Sequence, residues 1–432
     1  NDIGQNMTLI KTPYGALIFD CGAKCQGSIT KVITDDDLKG FLLVNEVAVE
    51  DIRGVFISHA HLDHYGSITS LLNIGIKPAK IFINNLTKQM IEGAAKDMIS
   101  LKETRLLSAF FVPNNRIKVD AFYNGHILGS EGFIIHFDNV NIVYTGDYCL
   151  HDQRTVDGLN PDTILSNKEI KADGIDCLIT ESTYGYNQSY LHHNSAEKVL
   201  AYFIERLVSL GYKVFLPAFA IGRAQEIALI LNQKNSILID GIAVSISRLY
   251  EQLAPISIFN ENTRYSVNTD DKISNFNCNN IIIASSGMLT QNSTSSNYVE
   301  QFLSSNSKVV IVKTGYMDNS EESYGKSLLE QWKRQGRILL DVSLSAHAGY
   351  DEIIELIDKL QPKNIVSIHG QGIAHKGNEV QDDTITDVDV DDNTDTIVEE
   401  VEKELIDADE PLVDLDDLPD ENFDDVNLFS EE

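Results

Sequence analysis

Three histidines and an aspartate stand within six residues, His59, His61, Asp63 and His64, in the stretch "VFISHAHLDHYGS" that runs from Val55 to Ser67. Neutral imidazole and carboxylate are what divalent zinc takes as ligands, and a strand-to-loop-to-helix turn lets side chains at alternating positions converge on one point. One histidine, in a chain that holds 11, reads more simply as a polar group satisfied near the core; this H-x-H-x-D-H cluster does not. Further on, "NGHILGS" sets His126 between glycines, "IVYTGDY" puts Asp147 just after an apolar strand, and "IVSIHG" does the same for His369. Each alone carries little, and their conjunction with the first cluster points to a metal centre.

The elements that must deliver these residues follow from apolar runs. Short strands are expected at Ala16 to Phe19, Gly54 to Ile57, Lys80 to Ile83, Phe133 to Phe137, Asn141 to Tyr144 and Cys177 to Thr180, with helices at Ser67 to Asn73 and Thr87 to Ser100. From His193 amphipathic helices alternate with strands: "SAEKVLAYFIERLVSL", "KVFLPAF", "RAQEIALIL", "SILID", "NIIIASS", "KVVIVKTG". That alternation predicts a layered, largely parallel sheet. A last helix, "YDEIIELIDKL", and strand, "NIVSIHG", follow.

Length and charge bound the rest. At 432 residues two domains or more are expected. The net charge of −31 is concentrated at one end: from Asn378 onward 24 acids face the single Lys403, which leaves −8 upstream. That segment reads as a disordered acidic tail, whose Leu412, Leu415, Leu418 and Phe423 could dock a protein partner or whose acids could occupy a cleft of the chain built for polyanions. Five scattered cysteines do not describe a disulfide framework and fit a reducing cytoplasm. No apolar run approaches the roughly 20 residues that span a bilayer, and the first residue is Asn1, so an N-terminal piece is expected to be missing.

"LIFDCG", "SHAHLDHYGS", "GHILGS" and "YTGDY" resemble the successive motifs of the metallo-β-lactamase fold. "TESTYG", "PAFAIGRAQE", "IIIASSGM" and "SLSAHAGY" resemble its nucleic-acid-processing β-CASP branch, in wording nearest to prokaryotic relatives of the cleavage-and-polyadenylation endonuclease, with ribonuclease J more distant. The resemblance spans about Asp2 to Gly370. It implies an αββα sandwich formed by residues 1–185 and 342–377, an inserted β-CASP α/β domain at 186–341, and the tail at 378–432. It also implies two zinc ions per chain, one held by His59, His61 and His126, the other by Asp63, His64 and His369, with Asp147 bridging and Asp20 orienting a ligand. Glu181 would pair with His347, which faces the scissile phosphate.

Two such ions can share a hydroxide and offset charge on a phosphodiester, with Asp63 taking a proton and His347 donating one or steadying the phosphate. The expected activity is zinc-dependent hydrolysis of RNA, RNA being favoured over DNA because the resemblance places a histidine at 369 in RNA-processing members. Substrate contacts are expected at Ser182, Thr183, Gly222, Arg223, Ser285, Ser286 and Gly287, and Lys213, Arg248, Lys313 and Lys326 are further basic candidates for the groove. Against the family pattern, a leading glycine-rich strand, a basic pair after "ASSGM" and a helix after "IHG" are absent, which bears on substrate grip and on homodimer formation. Two rivals stay open: a non-catalytic RNA-binding scaffold, and a hydrolase of a small ester, thioester or lactone on the same fold.

Overall fold

Alternation of apolar side chains along the first strands builds a two-sheet sandwich. In the computed structural model, which describes residues 5–26, 29–94, 105–106, 110–111, 116–185, 192–266 and 272–370, the first sheet runs Thr8–Thr12, Gly15–Phe19, Ile52–Ile57, Ile81–Ile83, Arg105–Leu106. Only its first pair is antiparallel. The second sheet runs Ile365–Gly370, Cys177–Ser182, Val140–Tyr144, Glu131–Phe137, Ile117–Tyr123, Phe110–Phe111, parallel across its first three strands and antiparallel thereafter.

Leu17 and Phe19, Phe56, Phe82, Phe133 and Ile135, and Tyr144 meet between the sheets. Phe56 stacks on Phe19 at 5.2 Å and on Phe82 at 5.1 Å. Full burial of such a ring contributes about 2–3 kcal/mol. The alternate residues point outward: Ile18, Val55 and Ile57 pack with Leu38, Ile68 and Met90, while Ile134, Val143 and Leu178 pack with Ile353, Leu356 and Leu360. Helices therefore cover both outer faces, giving the expected αββα layering.

The third sheet runs Thr263–Tyr265, Ile237–Asp240, Ile281–Ala284, Lys213–Pro217, Val309–Lys313, Leu339–Asp341, and every pairing in it is parallel. Its strands are apolar on both faces. Val214 and Leu216 pack with Leu200, Ile204 and Ile227, whereas Phe215 meets Tyr298, Phe302 and Trp332. Parallel strands buried on both sides need helices on both sides, which the alternation after His193 supplies. The helices Arg223–Leu231 and Tyr350–Leu360 have the bounds that the sequence suggests; the expected Thr87 to Ser100 helix is Asn85–Ala94 within the described residues. The acidic tail at 378–432 lies outside the described residues. Among those described no helix is long and apolar enough to cross a membrane, and Cys21, Cys149, Cys177 and Cys278 are free thiols.

Glu131 opens its strand with a buried carboxyl group. Oε1 accepts from Asn84 Nδ2 at 2.6 Å, and Oε2 has no hydrogen-bond partner. Burial pushes its pKa up to about 7, against the opposing pull of the Asn84 bond. Between the unfolded value near 4.3 and about 7 the folded chain keeps a proton that the unfolded chain releases, so stability falls as pH rises through that window. Glu131→Gln keeps the shape without titrating. It is expected to be near neutral at about pH 4 and stabilising by roughly 2–3 kcal/mol at about pH 8. Denaturant unfolding at both pH values checks this, and an equal effect at the two would refute it.

Candidate metal centre

The strand Ile52–Ile57 ends against the loop that carries His59 and His61, and His61 caps the short helix Leu62–Tyr65. Asp63 and His64 occupy the first turn of that helix. The approach that brings "DCG" against this turn needs Gly22, because a Cβ there would lie 1.6 Å from the Asp63 carbonyl oxygen. His126 follows the strand Ile117–Tyr123, Asp147 follows Val140–Tyr144, and His369 lies at the end of Ile365–Gly370. Asp20 and His369 both adopt left-handed backbone, φ 61° and 53°, uncommon for residues other than glycine and a cost of order 1 kcal/mol each.

The imidazoles converge with their lone pairs inward. His126 Nδ1 donates to the Ala346 carbonyl at 2.8 Å, which leaves Nε2 bare; it lies 3.0 Å from His61 Nδ1. His61 Nε2 faces the Ile221 carbonyl at 3.3 Å, so its Nδ1 is bare as well, and His59 Nε2 lies 3.0 Å from that same atom. Bare nitrogens this close repel unless a cation stands among them, so the set His59, His61 and His126 fits a metal ion on the chemistry of its donors. Burial holds all three below the usual imidazole range.

A second set adjoins it: Asp63, His64, Asp147 and His369. His64 Nδ1 donates to Asp20 Oδ2 at 2.8 Å, and Asp20 also accepts from Ser58 N at 2.7 Å, Ser58 Oγ at 2.8 Å and Tyr144 Oη at 2.7 Å. That bond directs His64 Nε2 to Asp147 Oδ2 at 3.1 Å, with the Asn6 amide nitrogen 3.0 Å away. His369 Nδ1 meets Thr183 Oγ1 at 2.8 Å, and its Nε2 lies 3.2 Å from Asp63 Oδ2.

Burial disfavours charge on His64 and His369, but the neighbouring carboxylates prevail. His64 is held well above the usual imidazole range by Asp147, Asp63 and Asp20, and His369 is raised to about 9 by Asp147 and Asp63. Three carboxylates among the rings create a demand for positive charge that a divalent cation meets. Asp147 reaches both sets, with Oδ2 3.7 Å from His59 Nε2 and Oδ1 3.6 Å from His369 Nδ1.

Beside the centre, Glu181 Oε2 receives His347 Nδ1 at 2.9 Å and Thr183 Oγ1 at 2.5 Å, while Oε1 accepts from Tyr148 N at 2.6 Å. The carboxylate of Glu181 raises the His347 pKa despite the opposing effect of burial. Since Nδ1 is committed, Nε2 is the nitrogen left to act.

The expected substrate contacts are placed unevenly. Thr183 sits within the centre, whereas Ser182 Oγ donates to the Ile368 carbonyl at 3.0 Å. Gly222 packs on Ile127, 2.6 Å from where its Cβ would stand. Ser285 Oγ accepts from Ala243 N at 3.4 Å and Ser286 Oγ from Met288 N at 3.2 Å. Arg223 and Gly287 share with Lys313 a cavity of about 10 Å³, room for about one water, and Arg223 donates to the Thr314 carbonyl. Lys213 stands at the far end of its strand from the turn at Gly222, bonded to Asn280 at 2.8 Å; Arg248 lies over Tyr265, Lys313 pairs with Asp341 and Lys326 with Glu321. Asn6, Ser58 and Tyr144 were not anticipated as support; the one hint in sequence was their closeness to the ends of the segments that carry ligands.

Residues 1–200 match the family described as the metallo-beta-lactamase superfamily, and residues 335–372 match the Zn-dependent metallo-hydrolase RNA specificity domain. The chain is similar to a probable RNase MJ4 of Methanocaldococcus jannaschii, 29% identical over 86% of this chain and 91% of that protein. It is also similar to endoribonuclease YSH1 of Candida glabrata, at 25% identity, covering 86% of this chain and 54% of the longer relative. A crystal structure of a protein of unknown function from Enterococcus faecalis shares the fold with a TM-score of 0.58 at 16% identity, over 85% of this chain and 92% of that one.

Proposed function

This chain belongs to the metallo-β-lactamase superfamily, in its β-CASP ribonuclease branch, and on that premise we propose that it hydrolyses phosphodiester bonds of RNA with two zinc ions bound per chain. The observation that carries the reading is the adjacency of two donor sets, both within reach of Asp147, to a pair formed by buried Glu181 and partly buried His347. Bound zinc lowers the pKa of a coordinated water and offsets the charge that develops on phosphate. His59, His61 and His126 would hold one ion, and Asp63, His64 and His369 the other, with Asp147 within reach of both sets.

Asp20 fixes the tautomer of His64, as partners behind metal ligands commonly do. Asp63 accepts the proton of the attacking water. His347, with Nδ1 bound to Glu181, presents Nε2 to the phosphate or the departing oxygen. We read residues 1–185 and 342–377 as the catalytic lobe and 186–341 as a cap that confines the substrate. A small ester would need no such cap, and an intact donor set argues against a purely scaffolding role.

RNA and matched DNA oligonucleotides, each labelled separately at its two ends, test the reading together with metal analysis of the purified chain. The expected result is cleavage with a clear preference for RNA, lost on chelation and restored by zinc. The end at which short products appear distinguishes internal cuts from stepwise removal. Equal or better cleavage of DNA would overturn the RNA assignment, and full activity without metal would overturn the mechanism.

A further inference from the structure

The carbonyl of Ser345, two residues before His347, is the meeting point of two histidines outside the metal centre. His193 Nδ1 donates to it at 2.9 Å, and His151 Nε2 lies 3.3 Å from it. The two rings stack with centroids 4.5 Å apart and planes 19° from parallel. An acid backs each ring. Glu352 receives His151 Nδ1 at 2.9 Å and the His151 backbone N–H at 2.7 Å. Glu226 Oε1 stands 3.4 Å from His193 Nε2, and its carboxylate is fixed by N–H groups of Arg154 at 2.7 Å and Thr155 at 3.0 Å.

His193, Glu197 and Glu226 lie close enough together to suggest a metal site. Arg154, paired with Glu197, already supplies positive charge there, so the knot is structural. Its mechanical effect falls on the loop that carries His347. Ser345 Oγ accepts from His347 N at 2.9 Å, the next carbonyl, Ala346, is held by His126, and the His347 ring by Glu181. A cavity of about 240 Å³ borders this loop, lined by Ser345, His347 and Gly349 together with both histidines. On that side the loop lacks close packing, so hydrogen bonds must set its position.

We propose that His151 and His193 are positioning residues for His347: by fixing the Ser345 carbonyl they set the direction in which His347 presents Nε2. The inference rests on the reading of His347 given above and extends it to side chains distinct from the proposed metal ligands. His193 also begins the helix His193–Ser209, which packs on the third sheet, so placement of that layer reaches His347 through one hydrogen bond.

Steady-state RNA cleavage by the zinc-loaded full chain tests this in a double-mutant cycle. His193→Ala is expected to lower kcat by about 10²-fold, the scale of a small misplacement of a reacting group, with KM, zinc content and melting temperature little changed. His193→Asn, whose amide can donate from the position of Nδ1, should recover most of the loss. Added to His347→Ala, the same change should cost no more than about threefold further. Should His193→Ala fail to fold, His151→Gln, which keeps a donor near Nε2, is expected to outperform His151→Asn. Full kcat in His193→Ala, equal loss in the Ala and Asn variants, or an additive loss in the double variant overturns the inference. Wild-type cleavage by His347→Ala alone would instead overturn the role of His347, and this inference with it.

Discussion

Asp147→Ala is expected to reduce RNA cleavage by on the order of 10⁴-fold or more and to lower bound zinc from about two ions per chain toward one or none. Asp147 is buried and within reach of both donor sets: 3.1 Å from His64, 3.7 Å from His59 and 3.9 Å from His126. Burial alone would push its carboxyl pKa up, but His369 and His64 hold it well below the usual carboxylate range, so it is ionised. Its removal leaves five histidines, His59, His61, His64, His126 and His369, around a centre stripped of its shared negative charge. Asp147→Asn keeps the volume and one oxygen but not that charge. It should fold better than the Ala variant while still losing metal, which separates ligand chemistry from packing. Metal analysis of purified protein with single-turnover cleavage checks both, and an Asp147→Ala chain with full zinc and full activity would refute the bridging role.

How much of this was legible beforehand depended on whether a residue's role is local. His59, His61, Asp63 and His64 announce themselves because their spacing is set by one strand end and one helical turn, so sequence distance and spatial distance coincide. The parallel third sheet was readable for a similar reason: continuous apolar strands such as "KVFLP" and "IIIA" alternate with amphipathic helices, and only two-sided burial explains both.

The helix Asp35–Val44 was not foreseen, although Thr34 caps it and three aspartates fill its first turn; its two buried residues, Leu38 and Leu42, make a weak apolar stripe. Side chains acting across large sequence separations were harder still. Nothing near Ser345 in sequence points to His151, 194 residues away, or His193, 152 away. The expected phosphate contacts at Ser285 and Ser286 illustrate the converse. Sequence shows two hydroxyls after a strand, but not that closing the turn at the end of Ile281–Ala284 sets their oxygens to accept from Ala243 N and Met288 N.

His347→Ala is expected to lower cleavage by about 10² to 10⁴-fold while leaving zinc content nearly unchanged. The two halves of that expectation come from different atoms. His347 Nδ1 is bound to Glu181 at 2.9 Å and lies 3.9 Å from Asp147, so the nitrogen that faces the donor sets is committed to a carboxylate. His59, His61 and His126 form one donor set and Asp63, His64, Asp147 and His369 another without it; a further group, Asp147, Glu181, His347 and His369, includes it, but there Nδ1 is already engaged by Glu181 at 2.9 Å. Glu181 would remain anchored through Tyr148 N and Thr183 Oγ1, so the carboxylate is not orphaned by the change. On the proposed reading, what disappears is a proton donor to the substrate phosphate, whose contribution would arise as charge develops on the departing oxygen. The loss should therefore fall on kcat more than on KM. It should also shrink on a p-nitrophenyl phosphodiester, because a phenolate departs with little need of a proton. Loss of zinc in His347→Ala would make the residue a ligand, and an equal fall on both substrates would make it a phosphate contact in place of a proton donor.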